Sequence, residues 1–305
     1  MPSSRVRRSL VGVLGSVLLA SALSACAFLP QPPEGATTDF DAIVAGVRDV
    51  DGVTGVESSL SQSEDQHPQF RWNGEMTVTL SSSAVAAPGQ LAEVAAEIRD
   101  ASAAGVAGSG LDVELRVPAV GTATSTHVDA LDPSSVEVAD VLRFEPAVAG
   151  ATVDAPRVFI RLAPGATLQA ASATVRPLVG QLYAVLVQDA TSLELSPTPP
   201  GPALLDRLDA LRSSGRVDTI SYVAIQSPPG PAVLEVTAAD VDAVAAELAA
   251  TPDEGADAGT SDRTAFSVAI SGDSGGLGGP FATGAPGVVR GWLGLPLGSP
   301  DPPRI

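Results

Sequence analysis

Three times along this chain the apolar residues change period in the same order: helix, strand, strand, helix, strand. A 3.6-residue period buries one stripe of a helix, and a two-residue period buries one face of a strand. A chain that alternates the two must lay amphipathic helices over one side of a sheet. The expectation is an α+β protein of tandem αββαβ units, each a small mixed sheet covered by helices on one face. The first unit spans residues 39–118, the second 132–196 and the third 201–270.

In the first unit Phe40, Ile43, Val44 and Val47 share a helical face, with Thr38 or Asp39 as candidate cap. Val53 to Leu60 and Glu75 to Ser81 read as strands, the second alternating Met76, Val78 and Leu80 against polar residues. Pro88 opens a helix with Leu91, Val94, Ala95 and Ile98 on one face, and Leu111 to Val117 is the closing strand. The second unit opens at Asp132-Pro133, an N-cap followed by proline at the first helical position. Strands follow at Val148 to Val153 and Arg157 to Leu162. Leu168 to Val187 reads as one long helix that Pro177 should kink or split, and Ser192 to Leu195 closes the unit. The third unit follows a proline-rich linker, Pro197 to Pro202. Its helix carries Leu204, Leu205, Leu208 and Leu211 and ends at Gly215. Strands at Val217 to Ile225 and Pro231 to Val236 lead to a helix with a capping-box-like start at Thr237. That helix buries Val241, Val244, Ala245 and Leu248, and a strand from Thr264 to Ile270 completes the unit. A right-handed crossover should join the second strand of a unit to its third where they lie parallel.

With aromatics at 4%, the core must be built of Val, Ala and Leu. The net charge is −18 and all 17 basic side chains are arginines. A field of that sign repels polyphosphate, so no nucleic-acid partner is expected. Residues 271–305 are dense in Gly and Pro without periodicity and are expected to form a mobile or loosely docked tail. Within it, Trp292 is expected to dock on the body of the protein.

The N-terminus carries Arg5, Arg7 and Arg8, then an uncharged apolar run from Leu10 to Ala22. That is the layout of an export signal. It closes with Leu23-Ser24-Ala25-Cys26, which holds the only cysteine. This stretch resembles the lipobox of bacterial lipoproteins. The resemblance implies cleavage after residue 25, with Leu23, Ser24 and Ala25 recognised by the signal peptidase, and lipidation of Cys26. Residues 26–38 then read as a Pro-rich tether. The implied location is the cell membrane, lipid-anchored on the extracytoplasmic face. A retained membrane helix from Leu10 to Leu29 is the alternative.

Two further resemblances concern function. The αββαβ order resembles that of BON domains, envelope modules that bind phospholipid or cell-wall material. Asn73 to Leu80 echoes that family's glycine-then-strand segment, although Ser81-Ser82-Ser83 stands where its next glycine belongs. Gly272-Asp273-Ser274-Gly275-Gly276 resembles the nucleophile loop of trypsin-like serine proteases. That likeness would make Ser274 the nucleophile, with His67 or His127 as base. Both histidines read more simply as surface loop residues, and Trp72 as a core edge. Asp253, Glu254, Asp257 and Asp262 lack the order of a calcium loop and read as a solvated acidic loop. No catalytic residue, metal site or cofactor is assigned. The expected role is non-enzymatic binding or scaffolding at the cell envelope, toward an envelope protein or a cell-wall ligand. A substrate-binding lipoprotein serving a transporter is the alternative, and a serine hydrolase using Ser274 a third class.

Overall fold

Alternation along the strands and helical periodicity between them give an α+β architecture of twelve strands and six helices among the described residues. The computed structural model describes residues 32–63, 71–106, 108–119, 126–180, 182–195, 199–223, 232–254, 263–270 and 287–299. The lipobox residues Leu23, Ser24, Ala25 and Cys26 lie outside them, as do His67, Ser274, Asp257 and Asp262.

The helices are α1 (Ala36–Arg48), α2 (Gln90–Ser102), α3 (Pro133–Leu142), α4 (Leu168–Val179), α5 (Pro202–Ser213) and α6 (Val241–Ala249). The strands are β1 (Val53–Ser63), β2 (Arg71–Leu80), β3 (Ser109–Val117), β4 (Thr126–Asp129), β5 (Val148–Asp154) and β6 (Arg157–Leu162). After them come β7 (Tyr183–Gln188), β8 (Thr191–Glu194), β9 (Val217–Val223), β10 (Val233–Ala238), β11 (Ala265–Ile270) and β12 (Val289–Trp292). They form one mixed sheet in strict sequence order, β1 to β12. Antiparallel hairpin pairs alternate with parallel pairs, and each parallel pair is joined through a helix.

Cross-strand rows show where the core lies. Val56, Val78, Leu115, Val128, Val153, Val158 and Ala184 stand side by side in register. A second row runs from Ile160 through Leu186, Leu193, Tyr222 and Leu234 to Phe266. Both rows belong to one apolar cluster with the helix residues Phe40, Ile98, Leu142, Val175, Leu208 and Leu248. The alternate rows lie on the face away from the helices; most of their residues are half-buried or exposed, although Val185, Ala265 and Trp292 among them are buried. Two glycines in the covered face make room for aromatic rings. A Cβ at Gly74 would come within 2.6 Å of the Phe40 ring, and one at Gly291 within 2.7 Å of the Phe266 ring.

Several expectations need correction. The small sheets expected for each unit are one sheet, because β4 arises where no strand was expected and β8 pairs onward with β9. The long helix from Leu168 to Val187 ends at Val179: Pro177 sits in its last turn, Gly180 leaves it at φ 58°, and Tyr183–Gln188 becomes β7. Helix α1 starts at Ala36 behind Gly35, which has φ 87°, so neither Thr38 nor Asp39 caps it and the tether's end is already helical. The cap of α6 is Asp240, not Thr237, which lies in β10. The tail contributes β12 on the edge of the sheet, and there Trp292 and Leu293 are buried, as the docking expectation for Trp292 had it. Asp132 caps α3 as expected, accepting from the backbone N–H groups of Ser134 and Ser135. The Ser135 hydroxyl bond, with these others, holds its carboxyl below the ordinary range.

Carboxylates also tie neighbouring helices together. Asp140 of α3 accepts from the N–H of Gly89 at the start of α2. Asp209 of α5 accepts from Leu168 and Gln169 at the start of α4, at 2.9 and 3.3 Å. Each satisfies N–H groups that a helix start leaves open. Arg143, 4.0 Å from Asp140, has a side chain only 2% exposed and lies over the Phe144 ring at 4.6 Å. Burial pulls its pKa below the ordinary value, with Asp140 opposing. A buried ion pair of this kind is replaceable as a pair and costly to split. Arg143→Met alone and Asp140→Ala alone should each cost about 3–5 kcal/mol, whereas Arg143→Met combined with Asp140→Leu should cost less than either, read by denaturant unfolding.

Candidate functional site

The open face is where this fold can meet a ligand. Strands β2 to β8 present one cross-strand row of Thr79, Arg116, His127, Thr152, Phe159, Val185 and Glu194. Phe159 is 44% exposed, a large apolar surface that no helix covers. It stands between Arg157 and Arg161, which alternate with buried Val158 and Ile160 on β6.

Beside this row lies a cleft of about 460 Å³ over β3, β4 and β5. Asp112, Glu114, His127, Asp129, Thr152 and Asp154 give it its polar lining. Strand alternation explains the grouping: Val113, Val128 and Val153 turn into the core, so their neighbours turn outward. The His127 Nδ1 pairs with Glu114 Oε1 across the β3–β4 hairpin, the two side chains 31% and 47% exposed. The Asn73 amide donates to Asp112. Gly110 leaves space for that contact, since a Cβ there would meet Asn73 Oδ1 at 2.5 Å. A cleft of this size suits a small ligand, and carboxylates around one imidazole draw a cationic or hydrogen-bond-donating one.

His127 is therefore on a strand, not in a surface loop. Its partner is a carboxylate, which leaves the triad reading without a described nucleophile, Ser274 lying outside the described residues. Among the described residues no group of three or more His, Cys, Asp or Glu is placed to hold a metal ion. Of the acidic loop, Asp253 accepts from the Thr264 N–H at 2.6 Å and Glu254 from the Ala203 N–H at 3.2 Å. Those two carboxylates secure the start of β11 and of α5. Trp72 lies half-buried on β2. Sequence reasoning missed the cleft because β4 is four residues long and the sequence before it shows no apolar periodicity. The available signal was Thr126-His127-Val128-Asp129, two alternating pairs ahead of the Asp132-Pro133 cap.

Toward the far edge, a second open-face row holds Val187, Ser192, Ser221, Glu235, Ser267 and Arg290. Partial burial holds the Glu235 carboxyl above its ordinary value, with Arg290 pulling the other way. Burial, then a hydrogen bond to Glu194 and its charge, push the Tyr183 phenol up. No family model, curated protein or solved structure matches the chain. Among the described residues no helix is long and apolar enough to cross a membrane.

The raised Glu235 has a signed consequence. Its contribution to stability is full below the unfolded-state pKa and is lost as pH rises through the folded one. Glu235→Gln should raise the melting temperature by about 1–3 °C at pH 8, the gain vanishing near pH 4, in paired thermal melts.

Proposed function

We propose that this chain is a lipid-anchored lipoprotein on the extracytoplasmic face of the cell membrane, whose folded part is a non-enzymatic binding platform. The observation that carries this reading is the sheet face away from the helices, acidic at the β3–β5 cleft and mixed around exposed Phe159. The anchor rests on the lipobox at Leu23 to Cys26. Acyl chains on Cys26 would hold it at the bilayer, each buried methylene contributing about 0.8 kcal/mol.

The platform is built, on this reading, of three αββαβ modules fused edge to edge. β3, β7 and β11 close the modules, and the four-residue strands β4, β8 and β12 follow them. Each follows the same pattern. The N–H of Ala130, Leu195 and Leu293, just after these strands, donates to the carbonyl of Val113, Ala184 and Thr264 at 2.8, 2.8 and 3.1 Å. The helix clasps repeat as well: Asp140 with Arg143 in α3 corresponds to Asp209 with Arg212 in α5. In α1 the matching pair of positions holds Ala45 and Arg48. Asp41, exposed, stands where α3 has buried Val136 and α5 buried Leu205. A polar outer side on a first module is how a repeat array ends in water. The order also resembles BON domains, which supports an envelope ligand.

A second reading, a ligand-binding lipoprotein serving a transporter, is favoured by the cleft, which straddles the join of the first and second modules. The two part in one experiment: crosslinking of the tagged protein in intact cells, beside Cys26→Ser, followed by mass spectrometry and fractionation. The platform reading expects a dominant envelope partner or retention on cell-wall material, and loss of the membrane-fraction protein with Cys26→Ser. A single transporter subunit as partner would favour the second reading. Identical soluble behaviour of both forms would overturn the anchor.

A further inference from the structure

The two edges of the sheet are unlike. β12 ends one of them with four residues. β1 forms the other with 11 residues, the longest strand in the fold, and among the described residues nothing pairs with its outer side. An edge strand offers a row of unpaired N–H and C=O groups, which proteins commonly blunt with proline, lysine, a bulge or a short length. β1 contains no proline, lysine or arginine. Its one register shift falls at Val53/Gly55, which leaves Val56 to Gln62 in regular pairing.

The other modules show what this edge lacks. Their first strands, β5 and β9, each take a four-residue strand in parallel on the outer side, β4 and β8. Their helix-facing residues are buried: Ala151 and Val153 in β5, Ile220 and Tyr222 in β9. On β1 the same face carries Val56 and Leu60, half-buried, with Ser58 exposed between them. The helix layer therefore stops short of the middle of β1, and α1 sets its Phe40 against Gly74 of β2. That layer is closed to a further helix. Exposed Asp41 stands where α3 and α5 bury an apolar side chain, and Ala45 stands where they carry the clasping carboxylate. A bare extended segment fits this ledge, whereas a second copy bringing its own helix does not. Charge narrows the segment further: on the face away from the helices, Glu57 of β1 and Glu75 of β2 are both exposed, Glu75 opposite Ser59.

We infer that the outer edge of β1 accepts an extended segment of a partner protein in which apolar and basic residues alternate. Alternation sends the apolar side chains to the helix side, beside Val56 and Leu60, and the basic ones to the other side, beside Glu57 and Glu75. Main-chain bonds to the free edge supply affinity, and the two rows of side chains supply selectivity. The site is the edge of the sheet and not its face, so it goes beyond the platform reading and needs neither the anchor nor the cleft.

Hydrogen exchange on the full chain tests it, with a blocked peptide of alternating lysine and valine about seven residues long. In the free chain about half of the β1 amides face outward and should exchange fast. The peptide should slow those amides by about 10-fold or more. The same peptide with proline for its central valine should not, since proline cannot donate to a ladder. A glutamate–valine peptide should leave the parent unchanged but slow the β1 amides of Glu57→Lys with Glu75→Lys, with protection in β6 reporting that this variant is folded. No slowing, equal slowing by the proline peptide, or equal slowing of the parent by the glutamate–valine peptide would overturn the proposal. Slowing confined to β3–β5 would place the peptide in the acidic cleft and overturn it as well. So would β1 amides that are all slow in the free chain, the edge then being paired already by the chain's own N-terminal residues or by a second copy.

Discussion

Two short parallel seams make this a single sheet. β4 meets β5 through His127 with Thr152 and Val128 with Val153, and β8 meets β9 through three such pairs. Every other junction in the sheet is longer. Seams this brief gain support from the helix layer, where Asp140 ties α3 to α2 and Asp209 ties α5 to α4 on the same side of the molecule. Backbone pairing below and carboxylate caps above thus reinforce each other. Neither alone would order the helix layer and the sheet across a join of a few residues.

Continuity of the sheet creates the open face. Three separate small sheets would present three small patches; one sheet aligns their rows in register from strand to strand. The cleft at β3–β5 exists only because β4 inserts His127 between Arg116 and Thr152. The same continuity explains why aromatics are so few yet well used. Tyr222 and Phe266 are neighbours through Leu234 in the third module's core, and Phe40 fills the space that Gly74 leaves in the first.

The sequence made the helices legible where a cap or breaker agreed with the periodicity. Asp132-Pro133 marked α3, Gly215 ended α5 at φ 66°, and the faces through Phe40 and Leu91 packed as their spacing required. It misled where an apolar run fits both periods. Tyr183 to Val187 continues the helical stripe of α4 on paper, yet Pro177 and Gly180 together stop that helix and hand the run to the sheet. β4 and β12 were illegible for another reason: four residues give one or two alternations, too few to register against flanking sequence without periodicity. The candidate site was legible only in part. His127 was singled out, but Glu114, Asp112 and Asp154 were indistinguishable from ordinary solvated strand residues until the register aligned them.

Hydrogen exchange on the backbone amides of β4 and β8, compared with those of β6, tests the continuous sheet most directly. Flanked on both sides, these four-residue strands should exchange as slowly as the central strand, with one shared opening free energy. Fast exchange confined to β4 and β8, with β2, β6 and β10 still protected, would mean three sheets joined by loose connections and would contradict the account.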